Sequence, residues 1–276
     1  MEWRKLKDLI ILILLVVNGF LLVLVWSRRT ESDQYERSAL TQTIQVLEQA
    51  GIRADADALV PASAQAPMAV DRDLEREARL ACILLDEKVE GENRGGGLYL
   101  YQGALGQLSV RSGGELSADF EEGERWCTDH PEQHAAARLA QLGLEGERTD
   151  VAQEDGQTVV RFRQIWYGAP VFSCEVSFFY QDGRLTALRG ALVMGGAGAA
   201  EPGQTLTLPT ALLRFSEAVG GTGDVCSEIR AMEPGWRSFA QSLSGGVRLT
   251  PVWLVSTDTA GYYLDGIIGA LTRVTE

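Results

Sequence analysis

Hydrophobic patterning divides the chain into an apolar opening and a long remainder of alternating and helical periods. Leu9 to Trp26 is an uncharged, mainly apolar run of 18 residues. As a helix rising 1.5 Å per residue it would be about 27 Å long, close to the hydrocarbon thickness of a bilayer. It ends Val25-Trp26-Ser27-Arg28-Arg29, without the small residues of a cleavable signal, and no cysteine stands nearby to take a lipid. Arg4, Lys5 and Lys7 precede it, Arg28 and Arg29 follow it, and Trp3 and Trp26 bracket it. This pattern predicts one uncleaved transmembrane helix with a cytoplasmic N-terminus and an extracytoplasmic body, since no later stretch is apolar enough to span. Asn18 has two readings: a tolerated polar residue, or a hydrogen bond to a second helix that Gly19 would let approach closely.

Beyond the run, Tyr35 to Ala50 predicts an amphipathic helix with Leu40, Ile44 and Leu47 on one face and Gly51 as its stop. Ile52 to Pro67 reads as a linker. Leu74 to Val89 predicts a second helix, its stripe formed by Leu74, Ala78, Ala81, Leu84 and Leu85, with GENRGGG breaking it as a flexible turn. That glycine-rich segment has no strand before it and no G-K-[ST], so it is not a phosphate loop. Leu98 to Phe120 alternates as a short antiparallel meander. Thr128 to Leu144 predicts a third helix, with Asp129, Pro131 and Glu132 at its start and Gly143 near its end.

Three strand-like segments follow, Thr158 to Trp166, Val171 to Tyr180 and Leu185 to Met194. The last two are joined by Gln181-Asp182-Gly183-Arg184 as a hairpin. Gly195 to Gln204 (GGAGAAEPGQ) reads as a linker. The tail repeats the plan: a helix over Leu208 to Val219, then strands around Glu228 to Trp236, Gly246 to Ser256 and Tyr262 to Leu271. Ala169-Pro170-Val171-Phe172 matches Thr250-Pro251-Val252-Trp253, each expected to open a strand. The expected fold is α+β, with antiparallel sheets each packed by helices. Its segments are a tip and anchor (1–29), an N-terminal domain (30–125) and a C-terminal domain (126–276) of two helix-plus-strands units, about 126–195 and 205–276.

Charge narrows the partners. Asp and Glu number 38 against 25 Lys and Arg, and without residues 1–29 the balance is 36 against 20. Such a surface repels nucleic acid and anionic lipid, so neither is expected as a ligand. Cys82, Cys127, Cys174 and Cys226 are widely spaced with no C-x-x-C. They leave open two disulfides, in three possible connectivities, or buried free thiols.

Candidate chemistry is sparse. His130 and His134, with Asp129 and Glu132 nearby, have the i, i+4 spacing of a zinc pair. H-P-E-Q-H lacks the glutamate placement of H-E-x-x-H, however, and no third ligand is evident. A solvent-facing helix start is the plainer reading. There is no G-x-S-x-G, and the acidic run Asp119 to Glu124 reads as a solvated face. No catalytic residue, metal or cofactor is therefore expected. The aromatics say more. Trp166, Tyr167, Phe172, Phe178, Phe179, Tyr180, Trp253, Tyr262 and Tyr263 lie in strand runs that must place rings on both faces of a sheet. Either neighbouring elements cover both faces, or an aromatic patch is exposed to dock a partner.

The opening Met1-Glu2-Trp3-Arg4-Lys5-Leu6-Lys7, with Asn18 before Phe20-Leu21-Leu22, resembles the start of the YycI proteins of Gram-positive bacteria. The later order resembles that family too, with Tyr101-Gln102-Gly103 in the meander. The strand blocks Val160 to Leu192 and Leu249 to Gly269 are similar to PepSY-like strands. The resemblance implies regulation without catalysis: a bitopic membrane protein that associates with a YycH-like protein and tunes the sensor histidine kinase of the WalK–WalR (YycG–YycF) cell-wall system. It implies a partner interface at Trp3, Asn18, Gly19 and Phe20. A competing reading is an anchored, wall-facing PepSY-like module that binds a peptide or inhibits a protease. A hydrolase using His130 and His134 is a third.

Overall fold

In the computed structural model, residues 14, 15, 17–19, 35, 37–61, 65–121, 129–200, 203, 205–241 and 245–274 are described. One order of elements recurs three times along them, a helix followed by a four-stranded antiparallel meander. The first copy is α2 (Leu74–Leu85) with β3 (Gly91–Gly95), β4 (Leu98–Gly103), β5 (Gly106–Arg111) and β6 (Glu115–Phe120). The second is α3 (Pro131–Gln141) with β7 (Gly146–Glu154), β8 (Gln157–Trp166), β9 (Ala169–Gln181) and β10 (Arg184–Ala191). The third is α4 (Leu208–Thr222) with β12 (Glu228–Ala240), β13 (Val247–Thr257), β14 (Gly261–Asp265) and β15 (Leu271–Arg273). Outside these lie α1 (37–49), β1 (Arg53–Ala54), β2 (Met68–Asp71) and β11 (Gly196–Ala200).

Local chemistry sets the boundaries. Asp73 caps α2 by accepting from the Arg76 amide, Glu75 and Glu77 sit in its first turn, and Asp86 ends it in the left-handed region. Two-residue hairpins with both residues at positive φ join β7 to β8 (Asp155-Gly156), β8 to β9 (Tyr167-Gly168) and β9 to β10 (Asp182-Gly183). That is the turn whose twist matches paired strands.

The first two meanders join through their last strands, β6 against β10, giving the antiparallel order β3-β4-β5-β6-β10-β9-β8-β7. In the third meander, β13 pairs β12 along one edge. On its other edge it pairs β2 at Val247–Leu249 and β14 at Val252–Ser256. β11 adds beyond β2, and β1 lies parallel to the start of β12. The two arrays meet at one parallel pair, Trp236 of β12 with Val171 of β9.

Separate antiparallel sheets were the expectation. The structure instead forms one mixed network of fifteen strands. The reason is the length of β9: one edge keeps β8 from Ala169 to Tyr180, while the other pairs β10 with its later residues and β12 at Val171 near its start. The turning point is the irregularity where pairing steps from Arg163↔Glu175 to Ile165↔Pro170.

The transmembrane helix is corrected as well. No helix among the described residues is long and apolar enough to cross a membrane. The longest of α2–α4, α4, has 15 residues and spans about 22 Å against the roughly 30 Å needed, and its apolar side faces the sheet. Within Leu9–Trp26 the described residues are Leu14, Leu15 and Val17 to Gly19, helical and exposed; the remainder lies outside.

Smaller expectations also change. GENRGGG is not a loop, since Gly91–Gly95 pairs with β4 as β3. The Gly195 linker contains β11. Ala169–Phe172 opens the third strand of its meander, whereas Thr250–Trp253 lies inside the second strand of its own, so the two are not equivalent.

Among the described residues the helices pack on one face of the sheet. Leu80, Ala81, Leu84 and Leu85 of α2 and Ala135 and Leu139 of α3 pack on Leu108, Val110, Val160, Phe162, Val176, Phe178 and Tyr180. Leu47 of α1 and Ala211, Leu212, Phe215 and Val219 of α4 pack on Met232, Trp253, Val255, Tyr262 and Leu264. A smaller core around Trp166, Val171, Cys174, Val193 and Trp236 joins the two arrays. An ion pair pins α2 to the first meander. Arg72 Nε and Nη2 donate to the Glu77 carboxylate at 2.7 and 2.8 Å, and Nη1 donates to Gly97 O at 2.6 Å. Both side chains are over 90% buried.

Candidate partner-binding face

Strand alternation and one irregularity sort the aromatics. Phe178, Tyr180, Trp253 and Tyr262 point to the helix-covered face and are buried. Phe172 is buried too, at 8% exposure, but the register shift in β9 between Glu175 and Pro170 turns it to the opposite face, with Tyr263 and Phe239. Here strands from two meanders bring rings and guanidinium groups into a row. The Arg163 guanidinium lies 5.5 Å from the Phe172 ring centroid, and Phe172 lies 6.0 Å from Tyr263. Arg237 lies 4.6 Å from the Tyr263 ring and 5.0 Å from that of Phe239. Phe239, 45% exposed, opens the row to solvent.

Gly235 makes room for this packing. A Cβ there would stand 2.5 Å from the Phe172 ring and 2.6 Å from Pro170 O, so glycine lets the ring lie across β12.

The arginines of this face differ in what they hold. Arg161 Nη1 donates to Asp150 at 2.6 Å, Nη2 pairs with Glu154, and Glu175 lies 4.0 Å from Nε. Arg163 has Glu147 at 3.5 Å. Arg237 has two rings and, among the described residues, no carboxylate. Stacking holds a guanidinium by its faces while its N–H groups lie in the plane, so the rings position Arg237 without using its donors.

A cleft of about 290 Å³ lies on the molecule between the α3–β7 connection, the end of β8 and the start of β11, with Arg76, Glu145, Gln164, Trp166 and Tyr167 among its lining residues. The Gln164 amide is buried and committed: it donates to Val193 O at 3.0 Å and accepts from Val193 N at 2.7 Å. Arg76 donates to Gly195 O at 3.2 Å. These contacts tie β8 and α2 to the segment between β10 and β11.

The residues singled out from sequence do not converge. Trp3 and Phe20 lie outside the described residues. Asn18 and Gly19 are helical and exposed, with no atom within 4 Å of the Cβ position at Gly19. His130 stands at the start of α3, exposed, without a side-chain capping bond. His134 is not solvent-facing as expected. It turns under the helix, where Nδ1 meets the Tyr180 hydroxyl at 2.8 Å and burial, aided by the Arg138 charge, pushes its pKa down. Among the described residues no group of three His, Cys, Asp or Glu is placed to hold a metal ion.

Cys82, Cys174 and Cys226 are free thiols, and Cys127 lies outside the described residues. Burial pushes the Cys174 thiol up, so it stays protonated beside Ser238 Oγ at 3.3 Å. In the acidic run, Asp119 pairs with Arg189 at 2.5 Å.

Sequence reasoning found the rings but missed Arg163, Arg237 and Phe239. The signal was present in Trp236-Arg237-Ser238-Phe239, whose alternation sends the tryptophan inward and the arginine and phenylalanine together outward.

No family model matches the sequence, and no curated protein does. Among solved structures the chain is similar to the Bacillus megaterium YpeB C-terminal domain. That likeness covers 75% of this chain and 100% of that one, with 12% sequence identity and a TM-score of 0.39. A likeness at that score carries no argument about fold or function, and none of these comparisons places the chain among the YycI proteins.

Proposed function

We propose that this protein works by binding another protein through the uncovered face of its sheet, and not by catalysis. The observation that carries the reading is the row Arg163, Phe172, Tyr263, Arg237 and Phe239, assembled from four strands of two meanders on the face opposite the helices, with Phe239 exposed at its end. Arginine and large aromatic side chains are the groups that dominate protein interfaces when they cluster in this way. Several titratable groups are committed to structure: His134 to Tyr180, Arg72 to Glu77, and Cys174 held protonated by burial.

The narrower form of the reading is regulation of a WalK-type sensor histidine kinase, together with a YycH-like protein, at the cell membrane with the folded body extracytoplasmic. Its support is the similarity of the first 22 residues to YycI proteins, including Trp3, Asn18, Gly19 and Phe20. Regulation of this kind needs only differential contacts with two kinase states. A PepSY-like peptide-binding module is the second form, and the cleft beside Trp166 and Tyr167 favours it.

Co-purification in mild detergent from the native membrane tests both forms, with the full-length chain beside Asn18→Leu and Arg237→Glu variants. The docking reading expects a partner with wild type that Arg237→Glu loses. The kinase form further expects that partner to be a sensor kinase or YycH-like protein, reduced by Asn18→Leu. Recovery of the same partner by all three chains would remove both the face and the apolar segment from the contact.

A further inference from the structure

We propose that Arg237 is the receptor for a carboxylate of the bound protein, so that the partner presents an acidic segment to this face. The inference rests on the docking reading above and names the chemistry of its occupant. Two independent features of the fold support it.

The first is pre-organisation. Arg237 and Phe239 stand two residues apart on β12 and so share a face, while Tyr263 reaches the same guanidinium from β14, across β13. Rings within about 6 Å of a cation hold it without accepting its hydrogen bonds. A long side chain that would otherwise lose rotamer freedom on binding is thus already ordered, which lowers the cost of association. A planar donor fork in that state matches a carboxylate in two parallel hydrogen bonds.

The second is the contrast with its neighbour. Arg161, on the outer face of the adjoining strands, is met by Asp150, Glu154 and Glu175. The same face of the same sheet therefore supplies carboxylates where an arginine is structural. No carboxylate among the described residues reaches Arg237: Glu233, exposed on the same strand and face, stands four residues away and forms no ion pair with it. The nearest acidic position on β14, Asp265, is occupied otherwise, its Oδ1 accepting from the amides of Ile267 and Ile268 at 2.8 and 3.0 Å. On a chain of net charge −13, a guanidinium without a carboxylate is the local exception to a field that repels anions. An acidic partner must therefore be recognised by direct contact here, with hydrophobic residues beside its carboxylate to cover Phe239.

The test uses the full-length chain in detergent and a defined probe, an acetylated and amidated pentapeptide of four glutamates around one phenylalanine. Its counterpart carries glutamine in place of each glutamate. Calorimetric titration with the acidic peptide is expected to show saturable binding that weakens with added salt. The glutamine peptide and the Arg237→Lys variant are each expected to bind about tenfold or more weakly, because lysine keeps the charge but loses the planar fork. In spectra of arginine-labelled protein, the Arg237 Nε–H resonance should move with the acidic peptide alone.

Equal binding of the two peptides, equal binding by Arg237→Lys, or no binding of the acidic peptide by wild type would each overturn the proposal. Unchanged thermal unfolding of Arg237→Lys shows that the variant is folded. A native partner captured equally by wild type and Arg237→Lys, but lost with Phe239→Ala, would keep the docking reading and discard the carboxylate receptor. Capture unaffected by either variant would discard the docking reading itself.

Discussion

Arg72 and Arg237 are the same residue in two opposite situations. Arg72 sits between β2, α2 and the first meander, with its donors engaged by Glu77, by Gly97 O and, at 3.4 Å, by Val110 O, and its guanidinium 4.9 Å from the Tyr99 ring. Arg237 has the rings without the acceptors. Burying a charge is tolerable only when it is fully paired, so Arg72 must be saturated by its own chain. A charge at the surface keeps water as its partner and can exchange that water for a ligand. Saturation marks a structural arginine, and aromatic support without saturation marks one available for recognition.

The most severe way to break this comparison is Glu77→Ala, which leaves Arg72 buried and unpaired. The expected loss is about 3–5 kcal/mol of stability in denaturant unfolding. The double replacement Arg72→Met, Glu77→Leu should recover much of it, since the charge and its partner leave together. A cost for Glu77→Ala no larger than that of a surface substitution would show that the pair is not the pin described.

Alkaline titration sharpens the Arg72 side. Burial, and then the Glu77 charge, push Tyr101 from its ordinary value of 10.0 up to about 12, with Arg72 opposing. A pKa raised on folding leaves stability whole below pH 10 and removes it as pH climbs from 10 toward 12, because the unfolded chain loses its proton first. Unfolding measured across that window should show the decline, and Tyr101→Phe should flatten it.

Gly235→Ala addresses the other side. Its methyl group would meet both the Phe172 ring and Pro170 O, and overpacking of this kind costs about 1–3 kcal/mol. The Phe172–Tyr263 contact should loosen, lowering affinity for an acidic peptide while Arg237 itself is untouched. The smallest effect is expected at Arg161. Arg161→Met breaks ion pairs that lie at the surface and should cost under about 1 kcal/mol, with the difference shrinking in high salt.

Much of the fold could be read from the chain because its signals are local. Asp182-Gly183 announced its hairpin, the stripes of α2 and α4 announced amphipathic helices, and the alternating runs of β8 and β9 announced half-buried strands. β7 escaped because Gly146–Glu154 is almost wholly exposed, so no apolar alternation marks it; only its Asp155-Gly156 turn did. β3 and β11 escaped because glycine carries no pattern. In β11 Gly198 marks a close approach instead: a Cβ there would stand 2.6 Å from Ala69 O of β2. The Arg237 site needed two facts that no local window contains, the crossing of β9 to β12 and the arrival of β14 beside them. The Asn18 reading falls on an exposed helical residue, and the described residues give it no partner contact.

β2 pairs with β13, its partner roughly 180 residues further along the chain, and α1 shares a core with the equally distant α4. During synthesis at about 5–20 residues per second, Met68, Ala69 and Val70 therefore wait some tens of seconds at the least rapid rates before their partner strand leaves the ribosome. The first meander can close in the meantime, since its contacts are nearest neighbours in sequence, whereas the third array cannot be finished until both distant parts are present. A late segment thus completes the sheet begun by an early one, and a chain cut short before Val247 would leave the β13-facing edges of β2 and β12 open to neighbouring chains on the polysome.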